Sequence, residues 1–75
     1  MARAVHSATY KAFLVKLRQA RRDVGLSQRE VAQALDKPQS YVSKCESGER
    51  RVDVVELQAF AALYRRSIES FLPEL

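Results

Sequence analysis

The stretch Ser27–Gly48, SQREVAQALDKPQSYVSKCESG, holds two short helical patterns separated by a break of about three residues. Ser27 and Glu30 have the S-x-x-E spacing of a capping box, in which the Ser hydroxyl and the Glu carboxylate satisfy backbone N–H groups that a helix start leaves unpaired. Val31, Ala32 and Leu35 follow at helical spacing, so a helix is predicted from about Gln28 to Leu35. Asp36-Lys37-Pro38 then breaks the pattern. Asp tolerates a left-handed backbone, Pro38 pushes Lys37 out of the helical region, and proline suits the first turn of a new helix. That second helix turns Val42 and Cys45 inward, reaches about Cys45 or Glu46 and stops at Gly48. Two short helices this close cannot pack comfortably as an antiparallel hairpin, and the geometry is that of a helix-turn-helix.

Helical spacing extends on both sides of this pair. Upstream, Tyr10, Phe13, Leu14, Leu17, Ala20 and Val24 form one apolar stripe over about Ser7–Val24, with Lys11, Lys16, Arg18 and Arg22 largely off it and Gly25 as the left-handed stop. Downstream of the charged loop Glu49-Arg50-Arg51-Val52, Asp53 with Glu56 repeats the capping box. Val54, Leu57, Phe60, Ala61 and Tyr64 then give another amphipathic helix. Ser67 is expected to cap a short fifth helix, Ile68–Leu72, which Pro73 ends. The expectation is an all-α, compact five-helix domain over residues 7–75, preceded by a flexible segment over residues 1–6.

Composition bounds what such a domain does. At 75 residues there is room for one small core and none for a large catalytic cleft or a separate ligand-sensing domain. No apolar run approaches the roughly 20 residues that span a bilayer, and the first residues lack a secretory apolar core, which points to the cytoplasm. The single cysteine, Cys45, at a core-facing position, reads as a small hydrophobe in a reducing compartment. His6, the one histidine, stands alone in an unpatterned segment. With no catalytic constellation, metal-ligand spacing or phosphate-binding glycine loop, neither an enzyme nor a cofactor, metal or small-molecule ligand is expected. The formal charge of +4 is uneven: residues 1–35 carry seven basic and two acidic side chains, residues 36–75 six and seven. The surplus lies in the N-terminal half, and a polyanion is the partner it suits.

Residues 27–48 resemble the helix-turn-helix of the phage Cro and repressor-type (lambda-repressor-like, XRE) family of DNA-binding proteins, and the resemblance extends over about residues 14–72. It departs from the family at Asp36, where glycine is usual, at Pro38, where a Ser or Thr cap is usual, and at Glu49, where a basic residue is common. The resemblance implies that the second helix of the pair enters the major groove of duplex DNA. With Val42 and Cys45 inward, Gln39, Ser40 and Ser43 fall on its outward face and Lys44 at the edge. Gln can pair bidentately with adenine, Lys can donate to guanine and Ser can donate or accept, so Gln39 is expected to be the main specifying residue.

Phosphate contacts are expected from Gln28, which matches the family's phosphate-contacting glutamine, from Ser47, Arg50 and Arg51 after the second helix, and from Tyr41 through its ring or hydroxyl. Tyr41 as a partly buried aromatic and Arg29 as a solvated residue or a phosphate contact remain open. Arg21 falls on or beside the apolar stripe of the first helix. In the family the matching Arg pairs with the Glu that matches Glu46, which implies a structural salt bridge Arg21–Glu46; direct DNA contact by Arg21 is the alternative.

The function expected is sequence-specific regulation of transcription, by a repressor or autoregulator. A protein-interaction module of the same fold, such as an antitoxin-like partner-binding protein, is the competing reading. Against it, the outward face holds Gln, Ser and Lys rather than hot-spot aromatic or aliphatic anchors. One copy reads only a few base pairs, so a homodimer on a near-palindromic operator is expected. Leu63, Phe71, Leu72 and Leu75 are the candidate dimer surface, or else they pack on their own core.

Overall fold

The computed structural model describes residues 7–73; His6, Leu75 and the segment 1–6 lie outside the described residues. Four α-helices follow one another: α1 (Ala8–Asp23), α2 (Gln28–Leu35), α3 (Gln39–Ser47) and α4 (Val54–Tyr64). The expected fifth helix is a single 3-10 turn, Ile68–Phe71, capped by the Ser67 hydroxyl, which accepts from the Ser70 N–H at 3.3 Å. Four residues close too few hydrogen bonds to nucleate an α-helix, and Pro73 leaves no room to extend.

Local chemistry sets the starts of the helices. The Ser7 hydroxyl accepts from the Tyr10 N–H at 3.1 Å. At α2 the Glu30 N–H donates to Ser27 Oγ at 3.0 Å while the Ser27 N–H donates to Glu30 Oε1 at 2.8 Å, closing the capping box. Asp53 and Glu56 do the same at α4, at 2.7 and 2.9 Å. Both Glu30 and Glu56 are held below the ordinary carboxylate range, Glu30 chiefly by the Ser27 N–H and Glu56 chiefly by hydrogen bonding from Arg50.

The helix ends share one device. Gly25, Asp36, Gly48 and Arg65 all adopt positive φ, between 57° and 85°, and each turns the chain sharply out of its helix. After Asp36 the Lys37 N–H reaches back to the Ala32 carbonyl at 2.9 Å, and after Arg65 the Arg66 N–H reaches the Ala61 carbonyl at 2.9 Å. The turn between α2 and α3 is therefore three residues long and tightly bonded.

One core joins the helices. Leu17, Val31, Val42, Cys45, Phe60, Tyr64 and Phe71 are almost completely buried, and Leu26, Leu35, Tyr41 and Leu63 pack against them from the edge. Two stripe positions do not join the core. Val24 caps α1 and is exposed, and Val54, the first residue of α4, is 69% exposed. Each sits where its helix runs out beyond its neighbours. Phe71 is only 1% exposed, because the reversal at Arg65 folds the 3-10 turn back against α1 and α4. It serves its own core and is unavailable as a dimer contact; Leu63 is half-buried and Leu72 stays 49% exposed.

Replacing Asp36 tests the turn. A left-handed backbone costs a β-branched residue more than Asp, so Asp36→Val is expected to lower stability by ~1–2 kcal/mol in urea unfolding, while Asp36→Gly stays within about 1 kcal/mol of wild type.

Candidate nucleic-acid interface

With Val42, Cys45 and Glu46 turned into the core, α3 presents Gln39, Ser40, Ser43 and Lys44 to solvent. All four base-reading candidates are exposed and share the outward side of one helix. No side-chain capping hydrogen bond forms at Pro38, so the start of α3 rests on backbone geometry and on the Tyr41 N–H, which donates to the Pro38 carbonyl at 3.0 Å.

Behind this face lies a buried ion pair. Glu46, whose side chain is 1% exposed, accepts from Arg21 twice, Nε to Oε2 at 2.6 Å and Nη2 to Oε1 at 3.1 Å. Arg21 also donates from Nη1 to the Leu26 carbonyl at 2.8 Å, so one guanidinium ties α1 to α3 and to the loop before α2. Hydrogen bonding to Glu46 raises the pKa of Arg21 further, against the opposing effect of its burial. This fork-to-fork geometry favours charge pairing in a low-dielectric setting.

Gln28, at the first position of α2, donates from Nε2 to Glu46 Oε1 at 2.9 Å. The expected phosphate-contacting glutamine is thus joined to the ion pair. Arg18 is joined as well: its Nε lies 3.8 Å from the same Glu46 Oε1, and its Nη2 donates to the Glu46 carbonyl at 3.5 Å. Periodicity places Arg18 off the apolar stripe of α1 and gives it no partner. Its spacing, three residues before Arg21 on the same side of α1, was the available signal.

The Tyr41 ring is half-buried. It stacks on Phe60 with ring centroids 6.2 Å apart, and Lys37 and Arg50 lie over it at 5.2 and 4.9 Å. Burial pushes its hydroxyl up to about 12. Tyr41 is thus partly buried, with cations resting on its ring. Arg50 is also paired with Glu56 at 2.6 Å, a partner that sequence spacing across the loop did not reveal. Arg51 lies 4.7 Å over the Tyr10 ring, whose hydroxyl accepts from the Val52 N–H at 3.1 Å. Ser47 Oγ donates to the Lys44 carbonyl at 3.2 Å and accepts from the Glu49 N–H at 3.3 Å, which shapes the end of α3. Arg29 and Glu49 are exposed. The Cys45 thiol is buried and its pKa is raised by that burial, so it stays protonated. Among the described residues no group of His, Cys, Asp and Glu could hold a metal ion, and no helix is long and apolar enough to cross a membrane.

A family model described as helix-turn-helix matches residues 17–71. An XRE-family like protein from Pseudomonas syringae pv. tomato str. DC3000 superimposes with a TM-score of 0.81 at 39% sequence identity, over 92% of this chain and 84% of that one. The chain belongs to the XRE-type helix-turn-helix family. That is a family of DNA-binding regulators. No curated protein matches the sequence. Within this XRE-type domain, α2 and α3 are the helix-turn-helix pair and α1 is the brace behind them.

The ion pair gives a direct test. Arg21→Met leaves Glu46 buried without its main partner and is expected to cost about 3 kcal/mol in urea unfolding, whereas Arg21→Met with Glu46→Leu is expected to recover most of the loss.

Proposed function

We propose that this XRE-type protein is a sequence-specific regulator of transcription, a repressor or autoregulator, that binds double-stranded DNA with α3 in the major groove. The observation that carries the reading is the outward face of α3, which offers Gln39, Ser40, Ser43 and Lys44 together and no aromatic or aliphatic anchor. Gln39, near the start of the helix, reads adenine through its amide; Lys44 donates to guanine or to a phosphate beside it. Gln28, Arg29 and Arg51 hold the backbone, Ser47 shapes the turn through which α3 meets the loop, and Tyr41 supports Lys37 and Arg50 from below. Arg50 shares its charge with Glu56 and so contributes less to phosphate neutralisation than a solvated arginine would.

Selection of duplexes from a random pool checks the reading: it is expected to enrich a two-fold related motif. Gln39→Ala is then expected to weaken binding to that motif by about tenfold, the discrimination of one bidentate contact, and to leave binding to unrelated duplex nearly unchanged. Enrichment of no motif would instead favour a protein partner for the same fold.

Two copies on one operator follow from the small reading head. Leu72, 49% exposed, lines a groove of about 490 Å³ together with Tyr10, Phe13, Leu57 and Ile68, and that apolar surface supports a homodimer. Sedimentation with the full motif is expected to give two chains per duplex; one chain per duplex would refute the dimer.

A further inference from the structure

α4 differs from the other helices in what it shows to solvent. Between Val54 and Tyr64 its one charged residue is Glu56, whose carboxylate is taken up by Arg50 and by the Asp53 N–H. α1, by contrast, turns Lys11, Lys16, Arg18 and Arg22 outward. α4 buries Leu57, Phe60, Ala61 and Tyr64 on its inner side and leaves Val55, Gln58, Ala59 and Ala62 exposed on the other, with Leu63 half-buried at the edge. Val55 is 69% exposed. A helix that is apolar all round is normally covered on every side. None of the five outer residues lines the groove of Leu72, so this face is a separate surface.

The face is also complementary to itself. Val55 and Leu63 lie four residues either side of Ala59 on one ridge, and Asp53 and Arg65 lie six residues either side. When a second α4 is laid antiparallel with the two Ala59 residues together, Val55 meets Leu63 of the partner subunit and Asp53 meets Arg65 of the partner subunit. The two-fold axis repeats both contacts at the other end. The charges at the ends are free for this: Asp53 caps α4 through Oδ1 and keeps Oδ2, and the exposed Arg65 guanidinium has no ion pair among the described residues. An alanine at the crossing point lets two helix axes approach to about 8 Å, the close end of the usual range.

We propose that the outward face of α4 is an interface between two copies of this chain, packed antiparallel about a two-fold axis at Ala59. Apolar contact of Val55 with Leu63 of the partner subunit supplies the attraction, and the Asp53–Arg65 pairs at the rim fix the antiparallel direction. A pair of helices about 16 Å long buries less than a standard interface, so the contact is weak in dilute solution. It is distinct from the contact at the Leu72 groove, and the two together allow assemblies larger than a pair. Nothing in it depends on DNA binding.

Cysteine cross-linking without DNA tests the axis directly. Cα atoms that face each other across so close a helix crossing come within disulfide reach, so Ala59→Cys under mild oxidant is expected to link into pairs about tenfold faster than Val15→Cys, an exposed site on α1. Cys45 is buried and does not compete. Arg65→Asp keeps the left-handed turn, which Asp tolerates at position 36, but sets like charges together at both ends. In the A59C chain it is expected to slow linkage about fivefold, and Val55→Asp about tenfold, with circular dichroism establishing that each variant is folded. A59C linking no faster than V15C overturns the proposal, as does linkage that R65D and V55D leave unchanged. Sedimentation of the chain without substituted cysteines is a second readout: V55D is expected to associate less than wild type at about 0.5 mM, and equal association overturns the proposal.

Discussion

A carboxylate with 1% of its side chain exposed has no water to lean on, so the position of Glu46 decides the positions of everything that bonds to it. Arg21 is drawn in from α1, and through its second hydrogen bond it also holds the Leu26 carbonyl in the loop that leads into α2. The helix α1, the helix α3 and the start of α2 are thereby referred to one buried point. Apolar packing of Leu17, Val31, Val42 and Phe60 supplies the bulk of the favourable free energy, but it is non-directional. The ion pair adds the direction, at the cost of taking two charges out of water.

These interactions explain how the helix-turn-helix is held in place although each of its helices is short. A helix of eight or nine residues is unstable alone. Here α2 is held at its start by the capping box and at its end by the left-handed turn at Asp36, and α3 is pinned along its inner side by Val42, Cys45 and Glu46. What remains outward on α3 is polar and unburdened by packing, so those positions are open to change without disturbing the core. The domain separates residues that hold the fold from residues that face a partner, and the division runs along α3 between neighbouring positions.

Most of the fold could be read from the chain because its signals are local. A capping box involves residues three apart, and Ser27–Glu30 and Asp53–Glu56 formed where expected. The helix-turn-helix could be read for the same reason, since three residues between two apolar patterns leave few geometries. What escaped was long-range. The end segment became a 3-10 turn with Phe71 buried because Arg65, a residue with no special tolerance for positive φ, takes the left-handed conformation that composition assigns to Gly or Asn. Val24 and Val54 matched the helical period yet lie at helix ends where no neighbour covers them. On the candidate interface, the outward set on α3 followed from periodicity, whereas the approach of Arg18 to Glu46 and of Glu56 to Arg50 depends on how separate elements meet.

The two tyrosine rings under the loop cations have a further effect. A solvated arginine loses up to about 2 kcal/mol of rotational freedom when a partner immobilises it. Arg50 over Tyr41 and Arg51 over Tyr10 are already restrained by the ring faces, so much of that freedom is lost when the chain folds and little is left to lose at association. The rings act as seats that keep the loop's arms extended. Removing an aromatic face would leave both formal charges in place and still free the arginine above it to sample more rotamers, a change in entropy with no change in net charge.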